Sequence, residues 1–423
     1  MSQKLTLFTL ILFILSACTG PESMLVEERP LDAINITIDP GHGDTQEYDS
    51  FRIGPTGERE EWINLRVAKL LARKLSHAGA NVLMTRTKDQ DVSLGGRATL
   101  ARLHKSDLFV SIHHNGSVND TGMDFPIVYF FGPASLNPAS VDFAKILIDS
   151  MRAEMTFKQQ QAGAVYSDHL IYSSGTSVLR NTIDAMPGVI GEGGFFTQPA
   201  GEGRLKSKEY NKLEADIYFK AILDYFQRGT PSATPLTPDS LLFLDLSKSI
   251  EFELDDGFGN TFFEENSFKV LQGGIQIQSN WDSNSGILTA TPDSSLDRSV
   301  TFQVFARNIK GNAMHPVPFN FITETGYNWY SHEKWFDAFK EAEILYAQLA
   351  SENIALPENQ IEILDSALHL YQLSLDLQIV HPQAQVAEDR ILELLQRKQA
   401  MLAIDLSEEI DAQVNRIKDY YPE

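Results

Sequence analysis

The sequence predicts an α/β domain over residues 33–228, with a mixed sheet and helices on both of its faces, followed by a small β-sandwich and a C-terminal helical segment. Two observations predict this. Up to about residue 228, apolar runs of strand length alternate with longer runs of helical period, the pattern of an α/β layer fold. The stretch "RGTPSATPLTPDS" (228–240) then breaks the pattern, and the chain beyond it is first β-type and then continuously helical. The expected boundaries are a leader at 1–17, a tether at 18–32, the α/β domain at 33–228, a linker at 229–240, the sandwich at 241–326 and the helical domain at 327–423.

Each element has a local reason. Residues 1–17, "MSQKLTLFTLILFILSA", place one lysine before an apolar run too short for a comfortable membrane span, as in a secretory signal. "LSAC" (15–18) resembles a bacterial lipobox, which implies a lipid anchor on Cys18. Cys18 is the only cysteine, so no disulfide forms within the chain. Thr19 stands where lipoproteins of the inner membrane carry Asp, so the expected location is the outer membrane, facing the periplasm. The bland alternative is an ordinary signal peptide with an incidental cysteine.

In "INITIDPGHGD" Ile34, Ile36 and Ile38 alternate with polar residues, giving a strand that ends in a turn. "EWINLRVAKLLARKLSHAGA" places Ile63, Val67, Leu70 and Leu71 on one helical face, and Gly79 stops it. "NVLMTR", "DLFVSIHHN", "IVYFF" and "GVIGEGGFF" read as strands; "VDFAKILIDSMRAEM" and "LEADIYFKAILDYFQRG" read as helices. Beyond the linker, "SIEFEL" and "SVTFQVFARN" precede turn clusters, as in an immunoglobulin-like sandwich. "DSNSG" (282–286) lacks the register and the bidentate Glu of a calcium loop and reads as a plain turn. "KWFDAFKEAEILYAQLA", "PENQIEILDSALHLYQLSLDL" and "AEDRILELLQRKQAMLA" read as stacked helices, loosely like tetratricopeptide repeats. They suit a protein partner, or a helical appendage packed on the α/β domain.

A formal charge of -22 repels phosphate backbones, so no nucleic acid is expected. Chemistry concentrates at strand ends, where α/β sheets collect ligands. His42 and His113 each follow an apolar strand. Glu60 and Glu61 precede a helix, where a carboxylate is also an ordinary helix-start charge. Glu192 ends a strand between glycines, and burying it there is costly without a partner. Two His and one carboxylate with an open position are a usual catalytic zinc set.

"IDPGHGD", "GEREEWINL", "SIHHN" and "SVLRNTIDAMPGVIGEGGFFTQP" occur in the order found in zinc-dependent N-acetylmuramoyl-L-alanine amidases of the amidase-3 type, and residues 34–227 resemble that family. The resemblance implies Zn2+ held by His42, Glu60 and His113, with Glu192 as the catalytic base acting on a zinc-bound water. It implies cleavage of the amide between N-acetylmuramic acid and L-alanine in peptidoglycan. Arg180 matches a position where the family often has arginine, and Arg180, His114 and Asn115 are the expected substrate-binding residues, with His114 standing either in a substrate subsite or behind a metal ligand. Asp44, Gly193, Glu61 and His114 depart from the family's usual residues, which leaves Glu61 as a rival ligand. The alternatives are another zinc hydrolase of the wall, a peptidase or deacetylase, and a non-catalytic wall-binding lipoprotein. Tyr166, Asp168 and His169 are expected to line the cleft.

Overall fold

The computed structural model describes residues 29–45, 52–117, 122–236, 244–294, 297–330, 333–350, 357–378, 381, 383–402 and 410. The leader, Cys18 and most of the tether lie outside them.

In chain order the first unit contains β1 (Asn35–Pro40), α1 (Glu60–His77), β2 (Asn81–Met84), α2 (Leu94–Leu103), β3 (Leu108–Asn115), β4 (Ile127–Phe130), α3 (Pro138–Glu154), β5 (Ala164–Ser167), α4 (Ser177–Arg180), β6 (Gly188–Phe195), α5 (Pro199–Leu205) and α6 (Lys208–Gln227). The six strands form one sheet in the order β2-β1-β3-β6-β4-β5. All neighbours are parallel except β4 and β6, so the sheet is mixed.

Alternation along the strands sorts their side chains. One face carries Ile36, Ile38, Val110, Ile112 and Val189, which pack on Ile63, Val67 and Leu71 of α1, Phe143 and Leu147 of α3, and Tyr218 and Ile222 of α6. The other face carries Phe109 and Ile190 under Ala101 of α2 and Val178 and Leu179 of α4. Each buried side chain of this size contributes about 1.5–3 kcal/mol, so the first, larger face carries most of the domain's stability.

The helix α2 is not expected from the sequence. Two glycines, Gly95 and Gly96, weaken its propensity, but Ser93 caps it by accepting from the Gly96 amide at 3.1 Å.

The segment expected as a linker is partly a strand. β7 (Ser232–Pro235) pairs antiparallel with β8 (Ile250–Asp255) and forms the edge of a second sheet. Its prolines resemble linker punctuation, yet an edge strand tolerates Pro because one side of it needs no ladder bonds. The rest of this sheet is β9 (Lys269–Gln272), β10 (Ile275–Asp282), β11 (Ile287–Thr291), β12 (Ser299–Phe305) and β13 (Pro318–Ile322), in the order β13-β12-β9-β10-β11-β8-β7. β10 pairs with β9 through residues 275–277 and with β11 through residues 278–282. The two halves fold over one core of Phe252, Leu254, Leu288, Val270, Phe302 and Val304. Phe252 and Phe319, far apart in strand order, meet with ring centroids 5.5 Å apart. The sandwich is therefore one continuous sheet bent at β10. "DSNSG" is a turn in which Asp282 accepts from the Asn284 amide at 3.0 Å.

Among the described residues four helices follow: α7 (Glu324–Tyr330), α8 (Lys334–Ala350), α9 (Pro357–Leu377) and α10 (Ala384–Leu402). Glu343 meets Arg390, Tyr346 meets Glu393 and Leu349 meets Arg397, so α8 and α10 run parallel. Phe339 near the start of α8 meets Tyr371 near the end of α9, so α9 runs the other way.

The units are joined by specific bonds. Asn312 donates to the Tyr225 carbonyl at 2.8 Å and the Gly229 carbonyl at 2.7 Å. Arg307 pairs with Asp142 of α3 at 2.7 Å, and Lys105, just after α2, pairs with Glu393 of α10 at 3.3 Å. Among the described residues no helix is long and apolar enough to cross a membrane.

Candidate metal centre

The C-terminal end of the first sheet brings three donors together. His42 Nε2 and His113 Nδ1 are 3.1 Å apart, and each lies 3.1 Å from a Glu60 oxygen. Bonds of about 2.0–2.1 Å in a tetrahedral zinc site place ligand atoms about 3.3 Å from one another. The donor set and its spacing therefore fit such an ion. A cation shared by the two imidazole nitrogens and the carboxylate would offset the cost of burying them together. Glu61 is not part of this cluster. It is fully buried beside the cluster, 3.8 Å from Arg59, and burial raises its pKa.

The turn that carries His42 is built under constraint. His42 and Asp44 have φ of 58° and 51°, a region L-residues avoid, with Gly43 between them at 142°. A side chain on Gly43 would strike the Gln90 carbonyl, and one on Gly41 would strike the His113 ring. Two buried arginines hold the turn's carbonyls. Arg86 donates to Pro40 O at 2.8 Å and Gly41 O at 2.9 Å, and Arg97 of α2 donates to Pro40 O at 2.9 Å and His42 O at 2.8 Å. Arg97 also pairs with buried Asp39 at 2.7 Å, and Asp39 further accepts from Thr85 at 2.5 Å and Ser111 at 2.6 Å. Burial works to raise Asp39, but Arg97 and these hydroxyls hold it below the usual carboxylate range. Burial and its cationic neighbour Arg97 bring Arg86 down to about 10. Sequence reading misses Asp39, Arg86 and Arg97. The available signal for Asp39 and Arg86 is a charged residue at the end of an apolar strand; Arg97, inside α2, carries no such signal.

Glu60 opens α1, and the preceding loop is fixed by buried Glu202 of α5, which accepts from the amides of Thr56 at 2.8 Å and Glu58 at 3.1 Å. Burial opposes ionisation of Glu60, but the two imidazoles outweigh it and hold its pKa well below normal. Burial lowers the pKa of His42. It also works to lower His113, but hydrogen bonding to Glu60 reverses the sign.

Glu192 is the direct strand partner of His113, so both project on the same face. Its Oε2 is buried without a hydrogen-bond partner. Burial is the largest cause that pushes its pKa up to about 7; His113 opposes the rise and Glu60 adds to it. A carboxylate poised near neutrality suits a general base.

The substrate-binding expectations fare differently. His114 follows His113 on one strand and so points through the opposite face. Its side chain is fully buried, with Nδ1 2.7 Å from Asn64 Oδ1 and Nε2 3.1 Å from Glu214 Oε2. It presents nothing to a substrate, which corrects the subsite expectation and leaves the place behind a metal ligand. Asn115 ends β3 with a buried Nδ2 that has no partner. Arg180 donates to the carbonyls of Ser174 at 2.9 Å and Gly175 at 3.3 Å and so braces a loop. Asp168 is also structural, accepting from the Thr176 amide and hydroxyl, both at 2.7 Å, while His169 packs edge-on against Phe131. Tyr166 of β5 is 40% exposed, beside Tyr129 on the Glu192 face.

Residues 36–224 match the Amidase_3 family, described as N-acetylmuramoyl-L-alanine amidase. YqiI of Bacillus subtilis (strain 168) is 28% identical over 201 residues, which cover 47% of this chain and 88% of YqiI. N-acetylmuramoyl-L-alanine amidase LytC of the same organism is 27% identical over 200 residues, 47% of this chain but only 37% of LytC. The solved N-acetylmuramoyl-L-alanine amidase AmiC2 of Nostoc punctiforme is 28% identical, covers 46% of this chain and 98% of its own, and has a TM-score of 0.40. The matched stretch coincides with the mixed sheet, its helices and the His-Glu-His cluster, and over it this chain is similar to the Amidase_3 family.

Proposed function

We propose that this chain hydrolyses the amide between N-acetylmuramic acid and L-alanine in peptidoglycan, with zinc held by His42, Glu60 and His113 and with Glu192 as base. The observation that carries the reading is the mutual 3.1 Å approach of His42, His113 and the two Glu60 oxygens beside the buried carboxylate of Glu192, the strand partner of His113, over a stretch that matches Amidase_3. A bound zinc ion supplies Lewis acidity, acidifying water and polarising a carbonyl oxygen. Glu192 Oε2 takes the proton of the attacking water and returns it to the leaving nitrogen. Arg97 and Arg86 hold the His42 turn in place while this occurs. Asn115, with its unpaired amide at the end of β3, and Arg180 are the candidates to contact substrate.

The leader and "LSAC" support a lipid anchor on Cys18 that keeps the domain near the wall, at the outer membrane facing the periplasm. Two acyl chains bind a membrane stably, where one does so marginally. Cys18→Ser should release the protein from the membrane fraction; retention at high salt would refute the anchor.

The activity is tested by mass spectrometry of digested peptidoglycan. Free stem peptides beginning with the L-alanine amine are expected. Shortened stems would mean a peptidase, lost acetyl groups a deacetylase, and intact wall with a zinc-loaded protein a binding module.

A further inference from the structure

We infer that Glu214, in the middle of α6, is a positioning residue for the metal-binding carboxylate Glu60, acting through His114 and Asn64. The inference rests on the metal site proposed above and concerns how this chain aims one of its ligands.

The chain of contacts is continuous and buried. Glu60 Oε1 accepts from the His114 backbone amide at 3.1 Å and from Asn64 Nδ2 at 3.3 Å. Asn64 Nδ2 also donates to the Gly41 carbonyl at 3.1 Å. A carbonyl only accepts, so this contact fixes the amide's orientation and turns Asn64 Oδ1 toward His114. Oδ1 is itself an acceptor, so His114 Nδ1 carries the hydrogen of the 2.7 Å contact. The other ring nitrogen, Nε2, lies 3.1 Å from Glu214 Oε2. Both side chains of this pair are fully buried. Glu214 therefore sets the rotation of the His114 ring, the ring sets Asn64, and Asn64 spans the Gly41 turn and the Glu60 carboxylate.

Space has been kept for the pair. A side-chain carbon on Gly193, the neighbour of Glu192, would collide with Glu214 Oε1 and fall 3.0 Å from His114 Nε2. The surrounding core is apolar: Ile63, Val67, Ile112 and Tyr218 are all wholly buried there. A buried acid and imidazole in such a core cost stability that an apolar pair would not. What the pair supplies is a fixed direction for a ligand oxygen, the role groups behind a metal ligand serve, where their loss typically weakens binding about 10- to 100-fold.

The test measures zinc affinity of the full chain by chelator competition, with melting of the metal-free protein recorded alongside. Glu214→Ala and His114→Ala are expected to weaken zinc binding about 10- to 100-fold. Glu214→Gln, nearly the same shape and still able to bond His114, is expected to restore most of it. Gly193→Ala pushes the carboxylate aside without deleting it and should weaken zinc alone, but cost little more in a Glu214→Ala background. Wild-type affinity in Glu214→Ala, with or without a lower melting point, overturns the inference and leaves the metal site standing. A Glu214→Gln variant as weak as Glu214→Ala also overturns it, because charge rather than orientation would then be at work. A wild type that binds no zinc, or a His113→Ala variant that binds it normally, would instead refute the metal site itself.

Discussion

The sheet end of the α/β domain and the core of the C-terminal helices are both tightly buried, yet they bury polar and apolar groups in different proportions. The first encloses Asp39, Arg86, Arg97, Glu60, Glu61, His114 and Glu214. The second is built mainly from rings and aliphatics, Trp335, Phe336, Phe339, Leu364, Tyr371 and Ile391, with Glu343, Glu388 and His381 among its buried polar groups. An apolar core is the cheaper way to gain stability, and buried charge is retained where a direction must be fixed. The molecule therefore gives up stability for geometry chiefly at the His42 turn and its supports.

The largest effects should come from breaking each core in its own terms. Arg97→Ala strands a buried Asp39 and should cost about 3–5 kcal/mol in urea unfolding of the α/β domain. It also frees the His42 carbonyl and should weaken zinc binding. Trp335→Ala should cost a similar amount, about 3–5 kcal/mol, as a cavity in the helical core, yet leave zinc affinity and turnover on solubilised wall fragments unchanged. Equal loss of turnover in both variants would erase the contrast. Truncation is a poorer probe than the sequence suggests, because removing everything past the α/β domain strips buried Asp142 of its bonds to Arg307 and the Ala313 amide.

A smaller effect should have opposite signs in the two regions. His381 stacks on Trp335 at 4.1 Å, its Nδ1 accepts from the Gln383 amide, and burial lowers its pKa to about 4. Between the unfolded value of 6.5 and about 4 the folded state binds fewer protons, so the helical core loses stability as pH falls through that window. The loss should approach about 3 kcal/mol by the lower end, and His381→Phe should abolish it. Glu192 is an acid whose folded pKa, about 7, lies above its ordinary 4.5. In metal-free protein the folded state binds more protons between these values, so the α/β domain loses stability as pH rises through them, and Glu192→Gln should remove that slope. The smallest effect belongs to the exposed bridge between the regions: Lys105→Ala should change stability by about 1 kcal/mol or less.

Much of the site is legible in the sequence because its signals are local. His42, His113 and Glu192 each follow an apolar strand run that announces it, and Glu60 opens a strongly periodic helix. The supports are not legible, because each acts across the chain: Arg97 reaches Asp39 from 58 residues away, and Glu214 reaches His114 from 100. For His114 the sequence leaves a substrate subsite and a place behind a ligand both open, although period-2 alternation already sends two adjacent histidines to opposite faces. The strand β7 is hidden by Pro231 and Pro235, which mark a linker and an edge strand alike. α2 is hidden by its paired glycines, and only the Ser93 cap betrays it.

The central claim is that His113 holds the metal while its strand partner Glu192 moves the proton. Zinc content and turnover on one solubilised wall substrate, measured together for wild type, His113→Ala and Glu192→Gln, test it most directly. The account predicts zinc in the wild type, loss of both zinc and turnover in His113→Ala, and a zinc-loaded Glu192→Gln slower by about two to four orders of magnitude. A metal-free Glu192→Gln, or one that turns over at the wild-type rate, would contradict it.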